Sequence, residues 1–169
     1  MEESNNQLKK NNKDLGTKLN KLENEALTLA DWTNLIGCDD YNVLNDSTRK
    51  MTFYSKESKD WTCDNANVNY RLSPDWKGEG WYRVVGPAGT RLADTPTKGY
   101  YYCGTAGGRY VKGNHPTKIG ETVSTKACYK ASSGNPCLNP QDIKIRNCGK
   151  YFIYYLPETS NCWTGYCTV

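Results

Sequence analysis

The chain has 169 residues, 37% of them hydrophobic and 24% charged, with a formal net charge of +4. That length suits one domain with an appendage. The Lys and Arg residues are scattered instead of forming a basic stripe, which argues against nucleic-acid binding, and no run approaches the roughly 18 apolar residues of a spanning helix, which argues against membrane insertion.

Residues 1–36 open with a polar stretch that has no apolar segment like that of a signal peptide. Leu8, Leu15, Leu22, Leu29 and Ile36 then recur every seven residues. With these at d, the a positions are Asn5, Asn12, Leu19, Ala26 and Thr33, and the pattern predicts an α-helical coiled-coil segment. Lys18 at g and Glu23 at the following e are placed to pair across a parallel dimer. Gly16 opposes the helix by about 1 kcal/mol relative to Ala. One amphipathic helix lying on its own domain would show the same stripe. Because so narrow a stripe buries little, self-association through residues 5–36 is favoured, as a dimer before a trimer. Gly37 is read as the left-handed cap that ends the helix, and a second unit is expected over residues 38–168.

Residues 38–79 are polar and turn-rich. Tyr41, Val43, Leu44, Trp61, Leu72 and Trp76 are the expected anchors. Asn45-Asp46-Ser47 is the only N-glycosylation acceptor in the chain, so Asn45 is the candidate glycan site. Beyond Gly80, short apolar runs broken by Gly and Pro predict strands at 81–85, 100–103, 109–112, 121–129, 142–146 and 150–156. In 121–129, Val123, Thr125, Ala127 and Tyr129 share one face; in 142–146, Ile143 and Ile145 do. The run 150–156, KYFIYYL, is apolar on both faces and is expected to be the central strand.

The eight Cys residues all lie from Cys38 onward at wide, uneven spacings, with no CxxC pair and one His in the whole chain. Zinc-ribbon and thioredoxin-type geometries are therefore missing, and four disulfides are favoured over metal or free thiols. No metal or other cofactor is expected. Disulfides require an oxidising compartment, so the domain is expected to be secreted or extracellular. With no signal peptide in view, the sequence is expected to be a fragment or an incomplete gene model.

Catalytic candidates are few. His115, followed by Pro116 at a Gly-rich turn, reads as a structural hydrogen-bonding residue more than as part of a triad. The carboxylate pairs Asp39 with Asp40 and Asp75 with Glu79 lie in polar loops, where solvation is the expected state. Among the aromatics, Trp76, Trp81, Tyr101, Tyr110 and Trp163 are candidates for stacking on sugar rings, weighed against core packing. Trp76, Tyr110 and Trp163 are the foremost of them.

Six motifs stand in order: C-x-x-Y-x-V-L from Cys38 to Leu44, GWYRVVGPAGTRL from Gly80, and G-x-H-P at Gly113, His115 and Pro116; then E-x-V-S-x-x-A-C from Glu121 to Cys128, I-x-x-R-N-C-G-x-Y-F-I-Y-Y-L from Ile143, and the closing C-x-x-x-Y-C-T at Cys162. With these motifs, residues 38–167 resemble the eight-cysteine extracellular domain of the uromodulin and pancreatic secretory granule glycoprotein family. The resemblance implies a mainly β, small disulfide-rich domain without catalysis. It also implies the pairs Cys38–Cys148, Cys63–Cys162, Cys103–Cys167 and Cys128–Cys137; eight cysteines alone allow 105 pairings. Two glycan acceptors of that family are replaced here, by Lys112-Gly113-Asn114 and by Tyr155-Leu156-Pro157.

Three functions follow as expectations. The first is a non-catalytic extracellular module for adhesion or surface interaction with a protein or glycan partner, presented multivalently by the coiled coil. The alternative is a carbohydrate-binding, lectin-like module, which an aromatic cluster on one exposed face would favour. A small secreted hydrolase ranks last and would need a carboxylate pair in a cleft.

Overall fold

A computed structural model describes residues 14–18, 33, 35–55, 57, 61–67 and 71–169. The chain divides into two compact units, residues 1–34 and 35–169. In the first unit, residues 14–18 and Thr33 are helical, and Leu15 is 64% exposed. The seam positions Leu8, Leu19, Leu22 and Leu29 lie outside the described residues. Ile36 does not continue a helical seam: residues 35–37 form a turn in the second unit, closed by Cys38 N–H donating to Leu35 O at 3.0 Å, and Ile36 is 71% exposed. Gly37 takes φ +84°, the left-handed conformation expected of a helix-ending glycine.

The second unit is built on one seven-stranded mixed sheet. Its strands are β1 (Asn42–Leu44), β2 (Gly80–Val84), β3 (Gly107–Lys112), β4 (Thr122–Tyr129), β5 (Leu138–Asn147), β6 (Phe152–Leu156) and β7 (Thr164–Tyr166). They lie in the order β1-β2-β6-β5-β4-β3-β7. Antiparallel pairs join β3, β4, β5 and β6 in succession, with β2 antiparallel to β6. The two edges are short strands added in parallel, β1 on β2 and β7 on β3. Short edges limit the backbone offered for stray pairing.

Period-2 alternation sets the buried faces. Ile143 and Ile145 of β5, Tyr82 and Val84 of β2 and Ala127 of β4 enter the main core with Leu44, Trp76, Leu92, Val111, Tyr154, Leu156 and Tyr166. Strand β6 is covered on both sides, which explains its continuous apolar run: Tyr154 and Leu156 face the main core, while Ile153 packs with the Cys38–Cys148 pair. It is an interior strand, but the middle place belongs to β5, the longest strand at ten residues. Alternation alone shows how many faces of a strand are buried, not where it stands in the sheet.

Two other expectations change. Residues 100–103 form a turn with one isolated bridge, Tyr102 to Tyr54, because Tyr101 (φ +70°) and Cys103 (φ +62°) are left-handed. Of the anchors in 38–79, Leu44 and Trp76 are buried, whereas Val43 and Leu72 are exposed. Among the described residues, no helix is long and apolar enough to cross a membrane.

Four disulfides lock the unit: Cys38–Cys148, Cys63–Cys162, Cys103–Cys167 and Cys128–Cys137. These are the pairs that the family resemblance implies. Three of them span 64 to 110 residues of sequence, the long loops for which restriction of the unfolded chain is greatest. Gly108 is required by this cross-linking, since a Cβ there would fall 2.3 Å from Cys167 Sγ and 3.0 Å from Cys103 Sγ and Thr97 Cγ2. Gly108→Ala is therefore expected to destabilise the domain by about 1–3 kcal/mol through overpacking, read as a lowered midpoint in thermal unfolding of the oxidised protein.

Candidate functional site

Two groupings stand out in the second unit, one buried and ionic, the other exposed and aromatic. The buried one centres on Arg49, the last residue of a single 3₁₀ turn that Asp46 caps by accepting from Thr48 N–H. Its guanidinium lies inside the protein, between two carboxylates. NH1 and NH2 donate to Asp64 Oδ2 and Oδ1 at 2.8 and 2.7 Å, and Nε donates to Asp75 Oδ1 at 2.9 Å. Asp64 Oδ2 also accepts from Tyr166 N–H of β7, and Asp75 Oδ2 accepts from the N–H groups of Asn45 and Asp46.

Nearly every lone pair is satisfied, which is the condition for burying such charges. Burial opposes ionisation of both Arg49 and Asp75, but their mutual attraction prevails. Arg49 is held above its ordinary value by Asp64 and Asp75, and Asp75 below the usual carboxylate range by Arg49 and the two backbone donors. Asp75 is thus neither solvated nor paired with Glu79, as its polar loop suggests. Asp64 and Asp75 do form a carboxylate pair, but one closed around a guanidinium, with both side chains buried. Glu79 is exposed and accepts from Tyr155 Oη.

His115 is also structural in its contacts. Nε2 lies 3.0 Å from Tyr154 Oη, which also accepts from Leu92 N–H. The ring packs edge-on against Phe152 and Tyr154. Burial, then the charge of Arg91, holds His115 below its ordinary pKa, with Asp94 opposing. Its hydrogen-bond partner is thus a phenol of the core, and every cysteine that could have served as a nucleophile is bridged. Among the described residues, no group of His, Cys, Asp and Glu is placed to hold a metal ion.

The aromatic grouping is formed by chain segments distant in sequence. The Cys63–Cys162 bridge brings Trp61, two residues before one cysteine, beside Trp163, which follows the other; the rings meet edge-on at 6.3 Å and 69°. Tyr101 stacks on Trp61 at 4.9 Å and 14°, and the neighbouring pair Tyr54 and Tyr102 meet at 5.1 Å. The backbone beneath is tightly held: Ser55 N–H donates to Tyr101 O, Thr62 N–H to Gly104 O, and Gly107 N–H to Trp163 O, all at 2.8–2.9 Å. Trp61 Nε1 donates to Ser55 O. Despite this framework the rings face outward, with Trp163 55% and Tyr101 37% exposed.

The sugar-stacking candidates therefore divide. Trp163 and Tyr101 belong to the exposed grouping. Trp76 is 2% exposed, stacks on Tyr82 at 4.6 Å and Tyr166 at 5.8 Å, and donates Nε1 to Glu158. Tyr110 is buried against the Cys128 side of β4, its hydroxyl donating to Pro136 O. Both are core residues, because each finds a hydrogen-bond partner inside. Trp81 packs beside the Cys38–Cys148 pair and edge-on to Tyr155. Tyr54 escapes sequence reasoning, and Trp61 enters it only as an anchor of residues 38–79; the proximity of Trp61 to Cys63 is the only signal that could have joined it to Trp163. Asn45 is exposed at the end of β1, where an acceptor can carry a glycan.

Residues 82–168 match the family model of the uromodulin-like eight-cysteine domain. The chain is 30% identical over 135 residues to the pancreatic secretory granule membrane major glycoprotein GP2 of Mus musculus, covering 78% of this chain and 23% of that protein. It is 31% identical over 116 residues to uromodulin of Rattus norvegicus, covering 68% of this chain and 17% of that one. With GP2 of Canis lupus familiaris it shares 37% identity over 90 residues, covering 53% of this chain and 17% of that protein. The chain thus spans less than a quarter of the length of these relatives.

Replacing Arg49 by Leu leaves two buried carboxylates without a counter-charge, and is expected to cost about 3–5 kcal/mol, measured by urea unfolding of the oxidised protein. The pH dependence has two parts. For His115 the unfolded chain binds the proton first, at about pH 6.5, so its stability contribution is complete above that value and declines as pH falls towards the lower folded-state pKa. Asp75 contributes fully above about pH 3.9 and its share is lost as pH falls further. Unfolding free energies between pH 3 and 8 should show both declines, and His115→Gln should remove only the first.

Proposed function

This chain belongs to the uromodulin-like eight-cysteine domain family, and from that premise we propose that it is a non-catalytic, extracellular surface-interaction module. Four disulfides with no free cysteine support an oxidising compartment. The pairing of Asp75, Glu79 and the sole imidazole with structural partners supports a role without chemistry. The observation that carries the reading is the rigid, outward-facing aromatic grouping around Trp163, a surface suited to contact. Asn45 is the proposed glycan attachment point.

Residues 5–33 present the module in two or more copies, as their heptads support. Several weak contacts on one scaffold raise apparent affinity for a repetitive surface by about 10²–10⁴-fold. The same exposed aromatics favour a second reading, in which the partner contacted is a glycan.

The test compares the full chain, secreted from eukaryotic cells, with a variant carrying Leu15→Lys, Leu22→Lys and Leu29→Lys. Light scattering should report a multimer for the first and a monomer for the second, and cell-surface binding by flow cytometry should fall by about 10² or more. A monomeric parent, or binding unchanged in the variant, would remove multivalency from the proposal.

A further inference from the structure

We infer that the corner formed by Trp61, Tyr101 and Trp163 is a carbohydrate-binding site that takes a neutral pyranose unit of a glycan. The inference rests on the surface-interaction reading and specifies its ligand. Three features of the molecule lead to it.

The first is shape. Tyr101 lies nearly parallel to Trp61 and covers that ring, while Trp163 stands at 69° to it. Two flat apolar walls at a steep angle suit a saturated six-membered ring, which offers a face of C–H groups to one wall and an edge to the other. An aliphatic protein side chain has no comparable flat face.

The second is the polar rim. The hydroxyls of Tyr54, Tyr101 and Tyr102 and the indole N–H of Trp163 make no hydrogen bond among the described residues, unlike the buried Tyr82, Tyr110 and Tyr166, whose hydroxyls all donate to carbonyls. Asn161 accepts from Trp163 N–H through Oδ1, which leaves its amide N–H groups for another acceptor. Asn161 also lines a shallow hollow with Asn139, Gln141 and Ser160. Flat apolar faces bordered by uncharged donors and acceptors complement a ring that is apolar on its faces and hydroxylated around its edge. Because every one of these groups is uncharged, the ring they suit is a neutral sugar.

The third is pre-organisation. Trp61 and Trp163 flank one disulfide, and Tyr101 lies two residues from Cys103 of another, with its backbone held left-handed at φ +70°. A non-glycine residue in that region is strained and persists only where its surroundings over-determine it. Here the result is to set the Tyr101 ring against Trp61. Rings already fixed lose little freedom when a ligand arrives.

The experiment titrates the oxidised full chain with neutral hexasaccharides (cellohexaose, chitohexaose, laminarihexaose and mannohexaose) while following tryptophan fluorescence and saturation transfer to the sugar. At least one should bind. Trp163→Ala should weaken it by tenfold or more, and Trp163→Phe, which keeps a flat ring, by less. Trp163 is exposed, so the variants should retain all four disulfides, which non-reducing peptide mapping checks. No binding by any of the four sugars, or equal binding by the Ala variant, overturns the inference. Cell-surface binding measured on the same samples separates the two readings. If it persists while the sugars fail, only the glycan assignment falls; if both are absent, the surface-interaction reading falls with it.

Discussion

A single guanidinium ties the loop-rich half of the domain to its sheet. The described residues between 45 and 79 contain little regular structure and few buried apolar side chains, so hydrophobic burial alone holds them poorly. Arg49 replaces it with a buried ionic knot. Through Asp75 it fixes the N–H groups that follow β1, through Asp64 it fixes Tyr166 N–H on β7, and its own NH1 donates to Tyr166 O. The arrangement is all or nothing. A pair with one partner missing leaves an uncompensated buried charge, whereas the complete triad satisfies its donors and acceptors.

The core follows a related logic. It is rich in tyrosine and tryptophan, and each buried ring brings a polar atom that needs a partner. Tyr82 Oη donates to Gly78 O and accepts from Lys77 N–H; Tyr166 Oη donates to Pro157 O; Trp76 Nε1 donates to Glu158. Burial accordingly pushes the Tyr82 hydroxyl up to about 12 and raises Tyr154 and Tyr166 as well, so all three stay protonated donors. This accounting distinguishes the aromatics of the interior from those of the surface. Tyr54, Tyr101 and Tyr102, whose hydroxyls find no internal partner among the described residues, belong to the outward-facing grouping.

The disulfides serve both parts. Cys103–Cys167 packs against Gly108, joining the 100–104 turn to the end of β7, and Cys63–Cys162 places Trp61 beside Trp163. The cross-links that supply stability to a modest core are thus the ones that position the exposed rings. An aromatic surface built this way keeps its geometry under oxidising conditions without a large hydrophobic interior beneath it.

The sequence by itself determined most of the strand set. Strands β2, β4, β5 and β6 carry period-2 alternation or a continuous apolar run, and such local patterns survive because each side chain's face is set by its own backbone. It also determined the oxidised state of the cysteines, from their number and spacing, and through family motifs their partners. It could not reveal β1 and β7, three residues each and added in parallel, since so short a strand is defined by its neighbour more than by its own composition. Nor could it show that Arg49, Asp64 and Asp75 meet, or that Trp76 is interior while Trp163 is exposed. Those outcomes depend on which distant segments come together: a charge is buried only where its counter-charges arrive, and an indole only where its N–H finds an acceptor. Tertiary structure alone decided both.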